Sequence, residues 1–166
     1  MNDQDADRIA TMIYEAPIGE YIGRAGAEVF ARRAASEQKL GDGEYLYHRG
    51  DSADAFFIVT SGRLGLVRDR SHVGKEFVVH VLEKGDLVGE LSFFDQTPHT
   101  LSVRALGDAA VLRFNARDVM PLVTEQPMLI YDFMRAVIKR VHHVVATISE
   151  HELELRQLIA NAGRQR

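Results

Sequence analysis

The chain has 166 residues, 46% hydrophobic and 27% charged, a balance that supports one ordinary domain with a packed core plus an appended element and excludes wholesale disorder. Its net charge of -4 lacks the basic excess of a chain built to grip nucleic acid, and the absence of cysteine removes disulfides, thiolate catalysis, cysteine-ligated zinc and iron-sulfur clusters together. The polar, acidic start from Met1 to Ala10 is unlike a secretory signal and no apolar run is long enough to span a bilayer, so the expected location is the cytoplasm, with no membrane partner.

In chain order, residues from about Asp7 to Gln38 place Ile9, Ile13, Ile22, Val29 and Phe30 at spacings that predict short helices, interrupted near Pro17 and Gly26. From Gly41 to Phe114 the texture changes to short β-rich runs: Tyr45 to Tyr47, Phe56 to Val59, Leu64 to Val67, Phe77 to Leu82, Leu101 to Val103 and Ala110 to Phe114. Turn residues separate them at Gly41-Asp42-Gly43, Arg49-Gly50-Asp51, Ser61-Gly62, Lys84-Gly85-Asp86 and Gly107-Asp108. Short strands at this spacing read as an all-β sandwich, roll or barrel.

Helix returns after Asn115, punctuated by Pro121 and Pro127, and Met128 to about Ala162 then runs without proline or glycine. Met134, Val137, Val141, Val144, Ile148, His151, Leu155 and Leu158 follow one another at alternating steps of three and four, a heptad seam. Its first two turns are expected to pack on the chain's own β-roll. Beyond them a helix of about 35 residues, roughly 50 Å long, would overhang so small a domain, and pairing with a second copy is the better expectation.

The chemistry concentrates between Gly85 and Val103. A strand ends at Gly89, Glu90 opens a single helical turn, and Pro98 sends the chain back into a strand. Amides opening such a turn form a natural phosphate cradle, whereas the Glu90 carboxylate suits the hydroxyls of a sugar. On the residues alone, a turn carrying a solvated acid remains open beside the ligand reading.

The succession Gly43-Glu44, Gly50-Asp51-Ser52-Ala53-Asp54, Phe57 to Gly62, Gly74-Lys75-Glu76, Gly85-Asp86, Gly89-Glu90-Leu91-Ser92 and Pro98-His99-Thr100 resembles the cyclic-nucleotide-binding domains of catabolite activator proteins, protein kinase A regulatory subunits and nucleotide-gated channels. The resemblance covers residues from about 40 to 145. It implies a mainly β fold, an eight-stranded jelly roll (a double-stranded β-helix), with N-terminal helices over residues 1-38, the roll over 39-126 and a long dimerisation helix over 127-162. It also implies a ligand, cyclic AMP first and cyclic GMP second, and no other cofactor. Glu90 would bind the ribose 2'-hydroxyl, the amides of Leu91 and Ser92 beside Gly89 would meet the phosphate, and Thr100 would add a hydroxyl. Val79, Leu82 and Val88 become candidate walls for the base, with plain barrel core as the open alternative.

One position departs from the family. Its usual arginine before Thr or Ala is here His99, which offers no permanent charge, so the expectation is weaker binding that tightens as pH falls. Arg104 is a possible substitute for the charge, with a solvated strand residue as the alternative. In the family, polar groups of the long helix read the base, and the corresponding candidates are His142, His143 and Thr147. The seven histidines show no zinc-type helical pair, and no hydrolase elbow, phosphate-loop lysine or kinase signature is present, so neither a metal nor enzymatic activity is expected. Relatives that bind DNA carry a helix-turn-helix after the long helix. Since the sequence ends at Arg166, no direct DNA binding is expected of it, and the readings are a dimeric sensor acting on an effector protein, a ligand-free docking module, or the sensor part of a truncated regulator.

Overall fold

The computed structural model of the protein describes residues 3-33, 36-69 and 76-143. Helices α1 (Asp3–Glu15) and α2 (Gly19–Arg33) bury Ile9, Ile13, Ile22 and Phe30 and partly bury Val29, the five apolar positions whose spacing predicts these helices. Pro17 sits in the break between them. The second interruption, expected near Gly26, falls at Gly23, where the backbone is non-helical with φ of 64°, and the helix continues through Gly26 itself. Gly26 serves packing instead. A Cβ there would stand 2.6 Å from Leu129 Cδ1, so its absence lets the C-terminal helix approach α2 closely.

The described strands are β1 (Ser36–Leu40), β2 (Tyr45–Tyr47), β3 (Ala55–Ser61), β4 (Leu64–Asp69), β5 (Glu76–Leu82), β6 (Leu87–Val88), β7 (Ser102–Ala105) and β8 (Ala109–Asn115). They form two four-stranded sheets, ordered β1-β8-β3-β6 and β2-β7-β4-β5, in which every pairing is antiparallel. This is the jelly roll. The start of β1 corrects the sequence reading, which had placed residues up to Gln38 in the helical region. Its sequence Ser-Glu-Gln-Lys-Leu has no alternation to read, since it is an edge strand whose only buried residue is Leu40. Its backbone is held by pairing with β8 alone, from Ser36 opposite Arg113 to Leu40 opposite Ala109.

Two hydrophobic layers share β3 and β8. Between the sheets lie Leu40, Phe57, Val59, Leu64, Leu82, Val88, Val103 and Val111. On the other side, Phe56, Ile58, Leu112 and Phe114 meet the helices. Burial on both faces explains why Ala55 to Val59 is an unbroken apolar run. On the helical side an aromatic cluster joins five elements. Phe56 of β3 stacks on Phe114 of β8 with centroids 4.8 Å apart, and both meet Phe30 of α2 edge-on.

After β8 come the short helices α4 (Ala116–Val119) and α5 (Leu122–Glu125), then α6 over residues 127-143. Ile130, Phe133, Ala136 and Val137 turn inward, whereas Tyr131, Met134 and Ile138 are exposed. The seam therefore divides at its start: Val137 packs on this chain's core and Met134 stands outside it. Val144, Ile148, His151, Leu155, Leu158 and the expected base reader Thr147 lie outside the described residues.

Candidate functional site

Strand β6 carries the chain out of the inter-sheet core, and Gly89 turns it in the left-handed region at φ 75° to start α3 (Glu90–Asp95). A side chain there would be strained by that backbone and blocked in space, since its Cβ would lie 3.0 Å from His99 Cε1 and 3.5 Å from Tyr47 Cε1. Phe93 N donates to Gly89 O at 3.0 Å, the first bond of the turn, which leaves the amides of Glu90, Leu91 and Ser92 ahead of the intrahelical ladder. Beyond α3, Asp95 accepts bonds from Thr97 Oγ1 at 2.6 Å and Thr97 N at 2.9 Å; these bonds lower its pKa and close the turn.

Glu90 is buried, 7% exposed. The cation that accompanies it comes from α6: Arg140 Nη1 lies 3.4 Å from Glu90 Oε1 and also donates to the Leu87 carbonyl, while Nη2 stands 4.0 Å from Asp86 Oδ1. One guanidinium thus ties the C-terminal helix to the strand end, the turn and its carboxylate. The aromatic cluster makes a second tie, because Phe93 and Phe94 of α3 lie 5.1 Å and 5.3 Å from Phe56 and Phe133 respectively.

His99 does not project into solvent. Its backbone is pinned to the turn before β3, with His99 N donating to Asp51 O at 3.0 Å and Gly50 N to His99 O at 2.8 Å. Its imidazole lies flat on Tyr47, centroids 3.6 Å apart and planes 10° from parallel, with only 5% of the residue exposed. Burial lowers the His99 pKa, opposed by the nearby charges of Asp51 and Asp54, so the neutral ring predominates at pH 7. Burial likewise pushes the Tyr47 hydroxyl far up, with the Glu90 charge adding to the effect and Arg140 opposing it. Tyr47 thus stacks on His99 and lies within electrostatic reach of the Glu90-Arg140 pair.

The fold brings together Gly89, Glu90, Leu91, Ser92 and His99. Leu91 is exposed and Ser92 half-buried, while Thr100 lies exposed just before β7. Leu82 and Val88 are each 1% exposed and belong to the inter-sheet core, whereas Val79 is the unpaired residue of a bulge in the exposed edge strand β5. Arg104 sits between Val103 and Ala105, both buried between the sheets, so alternation sends its side chain to the opposite face of β7, where its Nε is buried without a hydrogen-bond partner among the described residues and is not solvated. His142 and His143 are exposed. Sequence reasoning missed two participants, Tyr47 and Arg140. The signal for Arg140 was available: it follows Ile130, Phe133 and Val137 on the buried face of α6, where an arginine needs a partner.

With this geometry in hand, comparison with known proteins gives one consistent result. Residues 37-126, more than half of the chain, match the cyclic nucleotide-binding domain family. The chain is 27% identical over 125 residues to the cyclic AMP receptor protein of Thermus thermophilus, covering 75% of itself and 54% of that protein. It is 29% identical over 103 residues to lysophospholipase NTE1 of Coccidioides immitis, a match spanning 62% of this chain and 6% of that protein. Against the N-terminal domain of a transcriptional regulator from Streptomyces coelicolor the TM-score is 0.68 at 28% identity, covering 80% of this chain and 94% of that one. The chain spans only part of these curated relatives, and no helix among the described residues is long and apolar enough to cross a membrane. The jelly roll, the Gly89-Glu90 turn and the family match agree, and the chain belongs to the cyclic nucleotide-binding domain family.

Proposed function

We propose that the chain is a non-catalytic, cytoplasmic regulatory module that binds a cyclic nucleotide, cyclic AMP ahead of cyclic GMP, and passes the event to a C-terminal helix through which two copies pair and an effector protein is addressed. Glu90 would accept hydrogen bonds from the ribose 2'-hydroxyl, the amides of Leu91 and Ser92 would face the phosphate, and Thr100 would add a donor. Val79 is the wall residue best placed to meet a base, being exposed where Leu82 and Val88 are core. The name of the Thermus relative supports the choice of cyclic AMP.

The observation that carries this reading is the shared partner. Arg140 belongs to the output helix and Glu90 to the ligand turn, and they meet at 3.4 Å in a buried setting. A ribose hydroxyl that takes up Glu90 changes what Arg140 can hold, and a shift of α3 moves Phe93 and Phe94 against Phe56 and Phe133. Ligand affinity and helix position are then linked, because a ligand preferring one arrangement biases the other.

A second reading has its own support. The His99 ring on Tyr47 fills the space over Gly89, which fits a relative that has given up its ligand and serves as a docking or dimerisation module. Calorimetric titration with cyclic AMP and cyclic GMP at pH 6 and pH 8, with Glu90→Ala alongside, separates the two. Saturable binding lost in the variant is the expected result. Absence of binding by either nucleotide at about millimolar concentration, where binding free energies are near -4 kcal/mol, favours the docking module.

A further inference from the structure

The His99 and Tyr47 rings also line a cleft of about 310 Å³ whose other lining residues include neither Glu90 nor any other residue of α3. Its floor is aromatic, formed by Tyr47 and Phe57, whose rings stack at 6.3 Å. One wall is Arg113 of β8 and the other is the loop before β3, with Asp51, Ser52 and Asp54. The volume is at the lower end of ligand pockets, roughly 300-1,000 Å³.

Arg113 occupies an unusual place. Alternation along β8 points Ala109 and Val111 into the inter-sheet core, and the next inward position, opposite Phe57, is this arginine. Its guanidinium is steadied from two sides: Nε donates to Asn115 Oδ1 at 2.8 Å, and the group lies 5.8 Å from the Phe57 ring centroid. Among the described residues it makes no ion pair, although two carboxylates line the same cleft. Each of those keeps acceptor capacity, since Asp51 Oδ2 accepts from His48 N at 2.8 Å and Asp54 Oδ2 from Ser52 Oγ at 2.7 Å, leaving the second oxygen of each. His99 also lines the cleft and is buried, its ring stacked on Tyr47.

We propose that this cleft, which adjoins the proposed nucleotide site and shares His99 and Tyr47 with it, is a second binding site for a small zwitterion of the amino acid type. The carboxylate would take the Arg113 fork in paired hydrogen bonds, the ammonium would face Asp51 and Asp54, and the apolar part would lie on Phe57 and Tyr47. The charges choose this class. A simple anion would meet two carboxylates against one guanidinium, and a simple cation would leave the guanidinium unanswered.

The test is titration of the full chain with single L-amino acids by saturation-transfer nuclear magnetic resonance and calorimetry, up to about 10 mM, with acetate and ethylammonium as half-ligands. At least one amino acid binds saturably, each half-ligand binds about tenfold weaker or worse, and both Arg113→Met and Asp54→Asn weaken binding by about tenfold or more. Asp54→Asn keeps an oxygen for Ser52 and remains informative should Arg113→Met fail to fold. The proposal is overturned if no amino acid binds, if both variants bind as the native chain does, or if Glu90→Ala removes amino acid binding together with cyclic AMP binding, which would assign the signal to the nucleotide site.

Discussion

Replacing His99 with arginine tests how the site handles a phosphate. On the proposed reading a bound phosphate would draw the imidazole off Tyr47, giving up a stack worth about 0.5-1.5 kcal/mol, and the displaced ring would be charged only if it took a proton. Arginine has no imidazole stack on Tyr47 to give up and so avoids that cost. Its permanent charge adds a charge-assisted hydrogen bond of about 1.5-3 kcal/mol, offset by about 1-2 kcal/mol of lost side-chain freedom. These terms leave a net gain of about 0-3.5 kcal/mol, centred near 2, which corresponds to roughly 30-fold tighter cyclic AMP binding at pH 8. The pH slope is the sharper signature. Burial holds the free-state pKa of His99 below 6.5 and a bound phosphate would raise it, so native binding takes up a proton and strengthens as pH falls between those two values, by at most about tenfold per unit. His99→Arg binds with no such slope. Calorimetry on both proteins at pH 6 and pH 8 decides the matter, and equal affinities with equal slopes, or native binding that is tighter at pH 8, would refute the argument. The same depressed pKa has a consequence for folding. The unfolded chain takes up the proton first as pH falls through about 6.5, so this contribution is fully present above that value and is lost below it, and His99→Arg removes that part of the acid sensitivity.

Arg140→Leu leaves Glu90 buried beside Tyr47 without its cation and should cost about 1-3 kcal/mol in thermal unfolding, with faster amide hydrogen exchange over residues 137-143; unchanged exchange would show that Arg140 does not hold the helix. Phe133→Ala removes a fully buried ring that lies within 5.3 Å of Phe30, Phe56 and Phe94, and a loss of about 3-5 kcal/mol is expected in denaturant titration. Charges in the outer seam, Ile148→Asp with Leu155→Asp, should convert a dimer to a monomer in sedimentation while circular dichroism retains the β-roll; a native chain that is already monomeric would end the pairing proposal.

Much of the roll was legible because its strands are short apolar runs bounded by glycine-containing turns. Tyr45 to Tyr47 and Phe77 to Leu82 mark β2 and most of β5, and the run from Phe56 to Val59 is buried on both faces. β1 was not legible: a polar edge strand is held by backbone pairing to a distant segment, and its side chains carry no record of that partner. The same limit explains Gly23 and Gly26, since which of two glycines bends a helix and which admits a neighbour depends on where Leu129 arrives.

In the site, local sequence identified Gly89 and Glu90, because a turn needing a left-handed residue beside an acid is written in consecutive residues. It could not say that His99 lies inward on Tyr47, 52 positions away, that Arg140 reaches back 50 positions to Glu90, or that Arg113 faces the interior. By itself the sequence determined the strand and helix periodicities and the glycine turn before Glu90, which depend on neighbours along the chain, while the family resemblance supplied the candidate ligand role of that turn and the departure at His99. Only the tertiary structure decided which rings stack, which charges meet and which side of the roll is open, because burial and distance are set where remote segments pack together.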